Sequence, residues 1–298
     1  MGSGILKTAT IRGLKTGWLE FSSSESKAAI ALTPIPNVVL IHGYPDTPES
    51  FSFQYEHLAK NCNVLVPYVR GIGPSEPGGK LKRFGLDAVA LDIVETIAHA
   101  GWGVDSKVHL IGHDLGALYA WHLGTMLGKR LQSLTIMGGL GMPQARHRLG
   151  NLRQLRKSWY IFGMQIPFLP KMYLGSNPER FLRSAFRAGG LLPESLPEHS
   201  QGGVVVKELV TNPVSQYRAL FHDGVFFRED AHPMIQAPVM VIHGSRDHFV
   251  LPPSLDEFKS SAVNVSVNIL EGNHWIHREN PGRVNTLLSR FISGNSTM

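Results

Sequence analysis

The sequence predicts an α/β fold: a mainly parallel, twisted sheet with flanking helices and one long helical insertion. Short apolar, β-branched runs recur along the chain, each stopped by glycine or a polar residue, as strands buried on both faces of a parallel sheet do. Amphipathic segments with helical spacing lie between them. Between 141 and 231 the alternation fails, over a stretch too long for a simple connection.

Taken in order, Leu14–Phe21 and 28–32 read as an antiparallel start to the sheet. Asn37–Ile41 (NVVLI) stops at His42-Gly43, Asn63–Pro67 (NVLVP) near Arg70-Gly71, and 107–111 (KVHLI) at Gly112. Leu131–Met137 (LQSLTIM) stops at Gly138-Gly139, 238–242 (PVMVI) at His243-Gly244, and Val265–Leu270 (VSVNIL) at Glu271-Gly272. Helices are expected over Leu86–His99, where apolar positions oppose Asp and Glu, over Leu115–Leu127 directly after a strand, and over 283–292. The segment 141–231 is rich in Arg, Pro, Met and aromatic residues and reads as a helical lid, with 1–140 and 232–298 as two parts of one core.

The chain has 298 residues, 43% of them apolar and 17% charged, enough for a full hydrophobic core. Cys62 is the one cysteine, which excludes an intramolecular disulfide and a zinc–cysteine site. No stretch reaches the roughly 18 uninterrupted apolar residues of a membrane helix, and the first ten residues lack the apolar core of a signal peptide. A soluble, cytoplasmic protein is the expectation. The formal charge is +6 and the pI about 9.5. Part of it sits in Arg146, Arg148, Arg153, Arg156 and Lys157, which read as a solvated helix face, with a loose peripheral contact to anionic lipid as the alternative. No nucleic-acid motif accompanies them. Gly71-Ile72-Gly73 has no third glycine at dinucleotide spacing. No cofactor and no metal are expected.

The strongest chemical signal is Gly112-His113-Asp114-Leu115-Gly116, between a strand and a helix. This is the nucleophile-elbow pattern with aspartate where serine usually stands. The glycines permit a tight turn that pushes the central side chain into a cleft, and the Leu115 N–H, at a helix N-terminus, can hold an oxyanion. Alone, the pentapeptide fits a helix-capping aspartate equally well. Asp247 in Gly244-Ser245-Arg246-Asp247 and His274 in Gly272-Asn273-His274-Trp275 each follow a later strand. The chain order is therefore nucleophile, acid, histidine, and parallel strands bring such positions to one sheet edge. His42-Gly43-Tyr44-Pro45 would place the Tyr44 N–H opposite that of Leu115 as a second oxyanion donor; a turn containing Gly and Pro is the plainer reading.

Aspartate changes the chemistry. A carboxyl group, with an ordinary pKa of about 3.9, is ionised at pH 7 and can displace a leaving group from an sp³ carbon. The product is an ester that water cleaves, whereas serine would leave an ether. Epoxide opening or carbon–halogen displacement therefore suits this elbow better than acyl transfer. His274 would activate water for the second step, with Asp247 orienting it.

These residues resemble the epoxide hydrolases of the α/β-hydrolase superfamily over most of the chain. The resemblance rests on His42-Gly43-Tyr44-Pro45-Asp46, Arg70-Gly71-Ile72-Gly73-Pro74-Ser75, His113-Asp114-Leu115-Gly116, Gly244-Ser245-Arg246-Asp247 and Asn273-His274-Trp275. It implies an α/β-hydrolase fold, an epoxide as substrate, and two lid tyrosines that donate protons to the epoxide oxygen; lid length and aromatic content suggest an apolar compound of modest size. Tyr160, in the segment Trp159 to Pro167 with its Gln165-Ile166-Pro167 ending, and Tyr217, in Gln216-Tyr217-Arg218, fall at the matching positions; ordinary lid packing is the alternative for both. His42, Trp159 and Trp275 are expected to line the substrate pocket. Many relatives carry Trp where this chain has Leu115, and dehalogenases tend to carry Asn where it has Tyr44. Both departures count against a dehalogenase, as does the lack of arginine after the elbow for a haloacetate. Dehalogenation and non-catalytic ligand binding remain the competing readings. Tyr119, Trp121 and His122 read as core or subsite wall, His113 as a buried, hydrogen-bonded histidine, and His277 as secondary to His274.

Overall fold

The computed structural model describes residues 4–23, 34–191, 204–222, 224, 227 and 233–296. Eight strands form one sheet: β1 (Ile5–Ile11), β2 (Leu14–Phe21), β3 (Asn37–Ile41), β4 (Asn63–Pro67), β5 (Val108–His113), β6 (Leu131–Met137), β7 (Val239–Gly244) and β8 (Val265–Leu270). Their spatial order is β1-β2-β4-β3-β5-β6-β7-β8. β1 and β2 are antiparallel, as are β2 and β4, and all later pairs are parallel.

The apolar runs are explained by two buried faces. On β3, Val38 and Leu40 pack into one core and Val39 and Ile41 into the other, because successive side chains leave a strand on opposite sides. Helices α1 (Ser52–Leu58), α2 (Leu86–His99) and α3 (Leu115–Leu127) follow β3, β4 and β5. Leu86, Val89, Ile93 and Ile97 of α2 and Ala117, Ala120 and Leu123 of α3 fill one core, while α1 and the last helix supply Leu58, Val284, Leu288 and Ile292 to the other.

Two differences from the sequence reading concern the antiparallel start. β2 pairs with β1, through the hairpin turn Arg12-Gly13 in which both residues have positive φ (49° and 76°), the backbone a two-residue hairpin demands. The expected strand at 28–32 lies outside the described residues. β5 and β7 also run on into His113 and Gly244, past the expected ends at 111 and 242, because these residues keep ladder pairing with β6 and β8.

Between β6 and β7 the described residues are helical: α4 (Met142–His147), α5 (Leu152–Lys157), α6 (Trp159–Gly163), α7 (Leu169–Ser176), α8 (Pro178–Ala188), α9 (Val204–Thr211) and α10 (Pro213–His222). After β8 come α11 (Ile276–Glu279) and α12 (Pro281–Asn295). The helices between β6 and β7 lie against the loops that leave β3, β5 and β7. Arg148 grips Glu257 through Nε and Nη2 at 2.6 and 2.8 Å, and Gln154 accepts from Leu251 N and donates to the Phe249 carbonyl.

Candidate active site

Asp114 follows β5 directly. Its backbone has φ 53° and ψ −120°, a region that a side-chain-bearing residue enters only when its surroundings impose it. They do so here by close packing: a Cβ on Gly116 would sit 2.1 Å from the Ile41 carbonyl oxygen, and one on Gly112 would sit 2.3 Å from the Gly116 oxygen. Only glycine lets α3 start this close to β3. Asp114 makes no side-chain cap to α3, so the capping reading does not describe it. Its Oδ1 instead accepts the Tyr44 backbone N–H at 2.9 Å, and its Oδ2 lies 3.3 Å from His274 Nε2. Pro45 follows Tyr44 through a cis peptide bond.

His274 and Asp247 come from the loops after β8 and β7. His274 Nδ1 meets Asp247 Oδ2 at 2.9 Å. All of the acid's acceptor capacity is engaged. Oδ1 takes the N–H groups of Phe249 and Val250 at 2.7 and 2.9 Å, while Oδ2 also lies 3.2 Å from His243 Nε2. Burial alone would raise this carboxyl, but His274 and His243 hold it well below the usual carboxylate range. Burial likewise opposes a charge on His274. Asp247 and Asp114 outweigh it, and the imidazole is raised to about 10.

Tyr160 and Tyr217 stand over Asp114 from α6 and α10. Their rings meet edge to face at 6.1 Å. Gln165 ties the two segments, donating from one amide nitrogen to the carbonyls of Ile161 and Tyr217, a reason for the Gln in the Gln-x-Pro ending. Burial first, and then the nearby Asp114 charge, raise both phenols above their ordinary range. Both shifts favour the protonated, hydrogen-donating form of the phenol.

Two cavities meet at Asp114 and Tyr160. The larger, about 560 Å³, is bounded by Tyr44, His274, Trp275, Phe249 and residues of α6, α7 and α8, with Trp159 at its outer rim. The smaller, about 120 Å³, lies between the start of α3 and α4, α5 and α10, and includes Leu115, Leu118, Leu149, Tyr217 and Phe221. Both are mainly apolar, as small-molecule sites usually are.

Of the expected residues, His42 is displaced from its expected place. It bounds neither cavity. It is 2% exposed, with Nδ1 donating to the Gly43 carbonyl at 3.1 Å and Nε2 accepting from Val69 N at 3.1 Å. Burial lowers its pKa to about 4, so it stays neutral and clamps the loop carrying Tyr44. In the basic stretch Arg153 and Arg156 are exposed as expected, but two residues differ from the solvated face. Arg148 is buried, and Lys157 Nζ donates to the carbonyls of Asp247 and His248 at 2.7 and 3.0 Å. Tyr119, Trp121 and His122 are core residues that bound neither cavity. Three contributors were not singled out beforehand: Lys157 in this bracing role, His243 as a second partner of Asp247, and Phe249, whose ring packs edge-on against His274 at 4.9 Å. Phe249 follows Asp247 by two positions in the same loop, which was the available signal.

Behind the site, Asp46, His113 and His277 form the one group among the described residues whose composition and spacing suit a metal ion, with ligand atoms within 4.8 Å of one another. The carboxylate already accepts Trp275 Nε1 at 3.0 Å and Thr47 N at 2.9 Å. His113 Nε2 donates to the His274 carbonyl at 3.1 Å, fixing the backbone of the site histidine. Burial raises Asp46 to about 7 and lowers His113 to about 3. The group is a largely uncharged buried block. Among the described residues, no helix is long and apolar enough to cross a membrane.

Comparison with known proteins agrees with this architecture. A protein from Homo sapiens named Epoxide hydrolase 4 is 25% identical over 276 residues, covering 86% of this chain and 72% of the relative. Epoxide hydrolase A of Mycobacterium tuberculosis is 24% identical over 302 residues, covering 87% and 91%. The crystal structure of Epoxide Hydrolase A from Mycobacterium thermoresistibile superposes with a TM-score of 0.75 at 21% identity, over 98% of this chain and 99% of the other. The profile described as Alpha/beta hydrolase family matches residues 38–287, and with the eight-stranded sheet and the elbow after β5, the chain belongs to that family.

Proposed function

We propose that this protein is an epoxide hydrolase that opens an epoxide to a vicinal diol through a covalent ester of Asp114, with 141–231 acting as the cap over the site. The observation that carries this reading is the placing of two protonated tyrosines over a carboxylate at the junction of two apolar cavities. An alkoxide leaves poorly unless an acid meets it, and Tyr160 and Tyr217 supply that acid.

In the first step Asp114 Oδ2 attacks one epoxide carbon, the C–O bond breaks, and the oxygen takes a proton from the tyrosine pair. Oδ1 then becomes the ester carbonyl oxygen, already held by the Tyr44 N–H, with the Leu115 N–H as second donor. In the second step a water deprotonated by His274 attacks the ester carbon and the tetrahedral oxyanion sits on those donors; on collapse the imidazolium returns its proton to the departing alkoxide, freeing the diol, and the carboxyl proton left on Asp114 passes back to the tyrosine pair. Esterification removes the Asp114 charge, one of the two influences that raise His274. The imidazole is then more readily neutral, the form that can accept the water's proton, at the step that needs it.

Halide displacement needs N–H groups aimed at the leaving ion. Leu115 has no ring N–H, and that of Trp275 is given to Asp46; the dehalogenase reading is therefore the weaker one. An epoxide panel with diol detection, run beside haloalkanes with halide detection, tests the choice. Diol without halide is expected, and halide release without diol would overturn the proposal.

A further inference from the structure

The face through which the larger cavity meets solvent differs from the rest of the molecule. Residues 142–188 hold nine of the chain's 29 Lys and Arg but one of its 23 Asp and Glu. Their net charge of +8 exceeds the +6 of the whole chain, and all other residues together carry −2. Arg153 and Arg156 on α5, and Arg180, Arg183 and Arg187 on α8, are exposed. The last three repeat at i, i+3 and i+7, which places them on one helix face.

Large apolar side chains stand exposed among these cations. Phe168 is 80% exposed, Tyr173 75%, Trp159 and Met172 70% each. Leu169, Met172 and Tyr173 repeat at i, i+3 and i+4, one stripe of α7 whose buried residue, Leu174, lies elsewhere on the helix. Trp159, Leu169 and Tyr173 also bound the larger cavity, as do Lys157 beside Arg156 and Ser184 beside Arg183. The apolar stripe and the arginines therefore belong to helices that border one opening.

We propose that this face docks on an anionic lipid bilayer, with Trp159, Phe168, Met172 and Tyr173 at the headgroup–acyl boundary and the arginines among lipid phosphates, so that the larger cavity opens toward the membrane. Charge complementarity selects this occupant. Two copies would bring two strongly positive faces together, and a soluble polyanion has no use for a Phe–Met–Tyr stripe. Apolar insertion combined with cationic contact is how peripheral helices hold a bilayer.

Co-sedimentation of the full chain with vesicles tests this, using phosphatidylcholine alone and about three parts phosphatidylcholine to one of phosphatidylserine. Partition onto the anionic vesicles is expected to exceed that onto neutral ones by about tenfold or more and to fall with salt. R153E/R156E/R180E/R183E is expected to abolish that preference, and F168A/M172A to weaken anionic binding by about tenfold while keeping its salt dependence. None of these six residues bounds a cavity, so unchanged melting temperatures and unchanged turnover of a small water-soluble epoxide show that the variants fold. Equal or absent partition on the two vesicle types overturns the proposal. So does binding indifferent to F168A/M172A and matched by a short DNA duplex, which would assign the face to a soluble polyanion, or self-association abolished by the same variants. Vesicle binding is read without turnover, so its failure is distinct from failure of the epoxide reading.

Discussion

The sheet and the helices between β6 and β7 build one site by different physics. The sheet side holds charge: Asp114, Asp247 and His274 sit at strand ends, each held by backbone groups or by one another at 2.7–3.3 Å. Their positions follow from the ladder and from glycines that allow backbones to touch. The helical side supplies neutral donors and apolar wall, namely Tyr160, Tyr217 and the residues around them, and is tied down by a few polar contacts such as Arg148–Glu257 and Gln154–Phe249. In the proposed mechanism the covalent chemistry rests on the sheet side, and leaving-group protonation and substrate choice on the helical side.

The sharpest way to break this division is Asp114→Ala, expected to lower turnover by about 10⁴-fold or more with little loss of stability, since it removes a buried charge while the φ of 53° stays as costly for alanine, which also carries a Cβ. Kinetics alongside thermal melting check both halves. Tyr160→Phe and Tyr217→Phe are each expected to slow epoxide opening by about 10²-fold, and the pair by more. Stopped-flow single turnovers should place the loss in the alkylation step, leaving ester hydrolysis untouched.

Gly116→Ala attacks the sheet side through packing. Its Cβ would meet backbone 2.1 Å away that cannot yield, so a loss of about 2–4 kcal/mol is expected in denaturant melts. The pH dependence of stability sharpens the electrostatic side. His274 is raised to about 10 against an ordinary 6.5, so its contribution is full below about 6.5 and is lost as pH rises through 10. The melting temperature is expected to fall by several degrees across that window, with a shallower slope in His274→Gln. The smallest effect is expected from Lys157→Met. It loosens the Asp247 loop from the helical side and should lower turnover by about three- to tenfold while altering KM little.

Legibility in the sequence followed the same division. Strands buried on both faces announce themselves by composition, and the elbow glycines, Asp247 and His274 by position after those strands. β1 was missed because ILKTATI is an edge strand with one exposed face, too weakly apolar to stand out. His42 was placed on the pocket wall because position after a strand does not say which way a side chain turns; here a Val69 N–H draws it inward. Arg148 and Lys157 look like solvated charges in a basic run, and their true partners, Glu257 and the carbonyls after β7, lie about 90 to 110 residues away. The Asp46–His113–His277 block was invisible for the same reason.

The central claim, a carbon–oxygen bond from Asp114 to substrate, is tested most directly by the intact mass of His274→Gln after exposure to an epoxide that the wild type turns over. A gain equal to the whole epoxide, mapped by peptide digestion to Asp114 and persisting without diol release, is the expected result. A halogenated substrate would instead leave an adduct lighter by the hydrogen halide. An unchanged mass, with diol still formed, would contradict the account.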